Sequence, residues 1–68
     1  MKYLVIIEKT TTGYSAYVPD LPGCITVGDT KEEIEKNMQE AIQLHLEGMK
    51  EDGLEIPNPS TEAVTVAA

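Results

Sequence analysis

The sequence predicts an α+β fold, in which a small antiparallel sheet from the first half of the chain carries one long helix on one face. Two β-type runs flank a proline-rich corner at residues 19–24, and a third, more apolar run precedes them at residues 3–7. A helical repeat of apolar residues then begins abruptly after Thr30. Strand-like and helical patterns thus occupy separate parts of the chain, as expected of α+β rather than alternating α/β architecture.

Tyr3, Leu4, Val5, Ile6 and Ile7 are consecutive apolar or β-favouring residues, the pattern of a strand buried on both faces and central in its sheet. Thr10, Thr11, Thr12 and Gly13 read as a hairpin connection into a second strand at residues 14–18. There Tyr14, Ala16 and Val18 share one face, and Ser15 and Tyr17 the other. Pro19, Asp20, Leu21, Pro22, Gly23 and Cys24 follow. The two prolines fix φ, remove two backbone donors and push the residue before each towards extended geometry, so no helix passes through. Gly23 offers a position of positive φ at which the chain reverses into a third strand at residues 24–27, closed by Gly28 and Asp29. A corner this stiff either sets strand register or presents a shaped surface.

Thr30 and Glu33 have capping-box spacing, and Glu32 and Glu33 sit where the helix dipole favours acids, so a helix starts at residue 31. Ile34, Met38, Ala41, Ile42, His45, Leu46 and Met49 recur at three- and four-residue steps and form one apolar stripe. Gly48 is a mild weak point, and Gly53 is placed to end the helix in the left-handed region. A helix over residues 31–52 is about 33 Å long against roughly 17 to 24 Å for the strands, so it overhangs the sheet. The overhang brings Leu44, Leu46 and Met49 to a surface suited to self-association. Beyond Pro57 and Pro59, residues 63–66 are a short β-type run. Paired in parallel beside the first strand through a right-handed crossover, they give a βββαβ chain with sheet order 3-2-1-4; the alternative is a disordered tail.

Sixty-eight residues make one domain, and with no Trp or Phe its core is aliphatic and small. Cys24 has no disulfide partner, and one Cys with one His cannot complete a zinc site, so neither metal nor cofactor is expected. Self-association, as a homodimer or larger homo-oligomer, is the remaining supplement to stability. Twelve acidic residues against five lysines give a net charge of −7, which repels polyanions and points away from direct nucleic-acid binding towards neutral or basic partners. The apolar start is too short for a secretory core and no stretch spans a membrane, so a cytoplasmic location is expected.

Residues 14–24 around the corner, the run Gly28, Asp29, Thr30, Lys31, Glu32 and Glu33, and then Asn37, Glu40 and Ala41 resemble the signature of the HicB-type antitoxins. The match spans residues 3–57. The resemblance implies a βββαβ domain similar to a reduced ribonuclease H fold. It also implies neutralisation of a small basic HicA-type mRNA-cleaving toxin by covering its RNA-binding or active site. Many members of the family add a C-terminal helix-turn-helix or ribbon-helix-helix domain for operator DNA; these residues contain none, so DNA binding is not expected of them. The stiff corner, with Asp20 and Leu21, and the acidic helix end, with Glu47, Glu51 and Asp52, are the expected toxin contacts; acids at a helix C-terminus oppose its dipole, so Glu51 and Asp52 are either drawn to a partner or merely solvated.

A degenerate ribonuclease H-like domain and an oligomeric structural or sensing module without a toxin are the alternatives. Two-metal phosphodiester cleavage needs converging carboxylates, whereas residues 3–7 offer none and capping already accounts for Asp29, Glu32 and Glu33, so no enzyme is expected. His45 reads as a partly buried histidine at a subunit seam, and Cys24 as a small core side chain.

Overall fold

Two consecutive hairpins build the sheet and a single helix covers it. The computed structural model describes residues 2–68, with β1 (Ile6–Lys9), β2 (Tyr14–Tyr17), β3 (Ile25–Gly28) and α1 (Lys31–Glu51) in chain order. The strands are antiparallel in the order β1-β2-β3, with Ile6 opposite Tyr17 and Tyr17 opposite Ile25.

The first strand departs from expectation in position and length. It lies at the edge of the sheet, not the centre, and begins at Ile6 instead of Tyr3. The Thr10 N–H donates to the Gly13 carbonyl at 2.8 Å, so by antiparallel alternation Glu8 with Ser15 and Ile6 with Tyr17 are the hydrogen-bonded pairs. The next such pair would set Leu4 against Pro19, which has no N–H, and the ladder stops. The fourth strand is also corrected. Residues 63–66 pair with nothing in the sheet, so the order 3-2-1-4 does not form. Their approach is held elsewhere, because Ser60 and Thr61 are hydrogen-bonded to Asp20 at the corner between β2 and β3.

Period-two alternation sorts the sheet as expected. Ala16 and Val18 are buried beneath the helix, Tyr14 packs against them in part, and Tyr17 faces the open side with Ile25 and Val27. The core joins Ala16, Val18, Leu21 and Cys24 to Ile34 and Met38 of α1. The helix lies over β3 and β2 and makes no close backbone approach to β1.

The ends of α1 follow their capping chemistry. Thr30 is the N-cap, and its hydroxyl accepts the Glu33 N–H at 3.1 Å. At the other end Gly53 takes φ of 70°. Its N–H donates to the Lys50 carbonyl at 3.1 Å, and the Leu54 N–H to the Met49 carbonyl at 2.9 Å, the paired bonds of a Schellman motif. The helix runs unbroken through Gly48.

Gly28 and Gly48 make opposite demands on a methyl group. A Cβ at Gly28 would lie 2.9 Å from the Ile34 nitrogen and 3.0 Å from its Cα, backbone atoms that cannot move aside, whereas one at Gly48 meets nothing within 4 Å. Gly28→Ala should therefore cost about 1 to 3 kcal/mol by overpacking. Gly48→Ala should gain about 0.8 to 1 kcal/mol in helix propensity. Thermal unfolding by circular dichroism at matched concentration is expected to show Tm changes of opposite sign, about 4–8 °C per kcal/mol.

Candidate partner-binding surface

The corner is a hydrogen-bonded loop with two faces. The Val18 N–H donates to the Cys24 carbonyl at 3.1 Å, the Leu21 N–H to the Val18 carbonyl at 3.1 Å, and the Cys24 N–H to the Leu21 carbonyl at 3.0 Å. Gly23 closes the loop at φ of 84°, the left-handed geometry its lack of a side chain allows. Leu21 is turned inward and is completely buried, so the structure corrects its expected role: it plugs the core and is not offered to a partner. Pro22 stays outside.

Asp20 turns the other way and ties down the C-terminal segment. Its carboxylate accepts the Ser60 N–H at 3.0 Å, the Ser60 hydroxyl at 3.0 Å, the Thr61 N–H at 3.1 Å and the Thr61 hydroxyl at 2.7 Å. These donors, the Ser60 N–H foremost, pull its pKa down to about 2 against a small opposing effect of desolvation. Asp20, expected as a toxin contact, is thus already engaged within the chain. A second tie runs from the Tyr3 hydroxyl to the Pro57 carbonyl.

Between the corner and the last turns of α1 lies a groove of about 510 Å³. Pro22 forms one wall; Leu44, His45, Met49 and Asp52 form the other. Gly48, without a side chain, leaves the floor open, and the Schellman turn delivers Leu54 beside Met49. Leu44 is 67% exposed and Leu54 56%. Glu47, Glu51 and Asp52 are exposed on the same helix end. The three residues expected to mediate self-association divide. Leu46 and Met49 pack back against the core, partly buried, while Leu44 points out.

The structure therefore gathers Leu44, Met49 and Asp52 into one groove and removes Leu21 from any surface. Residue-by-residue reading missed Leu54, although an apolar residue just after the helix-ending glycine is its usual signal. It also missed Ser60 and Thr61, which lie forty and forty-one residues from their acceptor and have no local signature. Burial raises the Cys24 thiol pKa, in keeping with a core side chain. Among the described residues, no group of three or more His, Cys, Asp or Glu is placed to hold a metal ion.

The Asp20 anchor sets a pH window. A carboxylate whose folded pKa is depressed contributes fully above its unfolded value near 3.8 and loses that contribution as pH falls through about 2. Protection of the Ser60 and Thr61 amides, measured against their intrinsic exchange rates, is expected to fall across this acid range. In Asp20→Ala that protection should be lost at all pH values while the helix signal is retained.

The sequence matches the family described as HicB-like antitoxin of bacterial toxin-antitoxin system over residues 3–68. It is 51% identical over 57 residues to an uncharacterised 14.9 kDa protein of Haemophilus phage HP1, covering 84% of this chain and 43% of that one. It is 46% identical to the UPF0150 protein Ta0767 of Thermoplasma acidophilum over the full length of both. With Antitoxin HicB 2 of Photorhabdus laumondii it shares 40% identity over 91% of this chain and 45% of that one. The chain thus spans less than half of two of these relatives and all of the third. Among solved structures, a chain of the HicA3 and HicB3 toxin-antitoxin complex superposes with a TM-score of 0.76 at 37% identity, covering 88% of this chain and 70% of that one. Three antiparallel strands under one long helix, the proline-bounded corner and this family match agree: the chain belongs to the HicB-like antitoxins.

Proposed function

We propose that this chain is a non-catalytic antitoxin that binds a small basic, mRNA-cleaving toxin of the HicA type and covers its RNA-binding or active face. The observation that carries the reading is the groove between corner and helix end, with exposed Leu44 and Leu54 beside Glu47, Glu51 and Asp52. A surface that binds RNA is basic. A partner of net charge −7 is drawn to it at long range, and its carboxylates stand where phosphates would otherwise sit. The acids set the encounter rate, and the apolar groove holds the complex once water is expelled. The solved complex of HicA3 with HicB3, similar to this chain, supports the same pairing.

Neutralisation of this kind is stoichiometric occlusion and asks nothing of the antitoxin's own chemistry. The cytoplasm, where mRNA and the toxin meet, is its place in this reading. Among the described residues no helix is long and apolar enough to cross a membrane. Self-association as a homo-oligomer belongs to the same reading, because the core is confined to a few side chains around Leu21 and Ile34.

Titration against a purified HicA-type toxin tests the proposal. Leu44→Glu combined with Leu54→Glu should weaken binding at least about 100-fold, since burial of each leucine is worth roughly 1.5–3 kcal/mol. Alanine at Glu47, Glu51 and Asp52 together should lower the association rate about tenfold and flatten its fall with salt. Full affinity in the leucine double variant would remove the groove from the interface.

A further inference from the structure

The two edges of the sheet are unequal. The Val18–Cys24 hydrogen bond fixes the alternation in the second hairpin, so Ile25 and Val27 turn their backbone groups outward. The Asn37 side chain donates to the Val27 carbonyl at 2.9 Å and occupies part of that edge. At β1 the same alternation turns the N–H and C=O groups of Ile7 and Lys9 away from β2. Among the described residues no loop or side chain hydrogen-bonds to them.

Along this edge runs a groove of about 560 Å³, present because α1 lies over β3 and β2 and leaves β1 uncovered. Tyr3 and Val5, just ahead of β1, and Ile7 within it line one side, and Met38 and Ile42 of the helix line the other. An added strand would place every second side chain in this groove. Residues 63–66 have that pattern: Val64 and Val66 fall on one face, Thr65 on the other, all are uncharged, and the valines are 80% and 84% exposed. They are not positioned to fill the groove of their own chain. Thr61 is fixed to Asp20 at the β2–β3 corner, on the far side of β1 from its open edge.

We propose that residues 63–66 of a second copy of the chain add as a strand to the open edge of β1, with Val64 and Val66 seated between β1 and α1. Reciprocal exchange makes a closed two-fold dimer. Main-chain hydrogen bonds hold the added strand, and the groove selects its alternate side chains. The docking segment is uncharged, so between two chains of net charge −7 it adds no acid of its own to a groove that Lys2 and Glu35 also line. The inference is independent of toxin binding, which uses the helix-end groove.

Light scattering on the full chain at high micromolar concentration should give twice the 7.4 kDa chain mass. Dimerisation should tighten with added salt, the opposite of toxin association. Val64→Lys with Val66→Lys should leave the helix signal intact. The double lysine variant should raise the dimer dissociation constant at least about 100-fold, roughly tenfold or more for each buried valine lost. In a mixed sample of labelled and unlabelled chains, filtered nuclear Overhauser effects should connect residues 63–66 of one copy with residues 5–9 of the other. A single-chain mass, a dimer unaffected by these substitutions, or contacts confined to one chain would overturn the proposal. So would a monomer whose Val5 and Ile7 signals move only when toxin is added, an outcome that assigns the groove to the toxin.

Discussion

Leu21 is fully buried although it sits in a loop between two prolines, and its neighbour Asp20 binds the other end of the chain from the same loop. The inside and the outside of the domain are thus fixed from adjacent positions. Pro19 and Pro22 narrow the unfolded ensemble of the loop, so less entropy is lost in setting Leu21 into the core than a free loop would lose. Val18 and Cys24 join Leu21 through the loop's own hydrogen bonds, and Ile34 and Met38 close over them. A flexible corner would loosen two things at once, the packing beneath the helix and the path of the C-terminal segment.

Most of the fold could be read locally. The alternation at Tyr14, Ala16 and Val18, the capping residues at Thr30 and Glu33, and the positive φ at Gly23 each depend on neighbours in sequence, and each appears where periodicity and turn chemistry put it. The failures share a different cause. The apolar run at residues 3–7 looks like a doubly buried strand, yet its pairing ends because the opposing strand runs into Pro19, a property of two strands and not of one. Residues 63–66 have β propensity, but the segment that leads to them is held at Ser60 by an aspartate forty residues before that serine. Leu21 was expected at the partner surface as part of the stiff corner; only tertiary packing shows that it points inward. Of the candidate site, the acids at the helix end were legible as residues that capping does not explain. The groove beside them was not, because Pro22 and Leu54 reach it from separate parts of the chain.

The acids of this protein divide by task. Glu32 and Glu33 complement the helix N-terminus, and Asp20 is a structural acceptor whose charge is held by backbone and hydroxyl donors. Glu47, Glu51 and Asp52 lie at the end where the helix dipole disfavours them, and there the surface also exposes leucine. Charge and apolar area on one small patch suit a partner met quickly and then held.

The Asn37 bond to Val27 bears on more than the helix contact that forms it. A three-stranded sheet with both borders bare is a template from which copies can line up without limit, the geometry of fibrils. With Asn37 seated on the Val27 carbonyl, the β3 border offers fewer free backbone groups to another strand than the β1 border does. The amide of one helix residue thus works against open-ended growth from that side of the sheet.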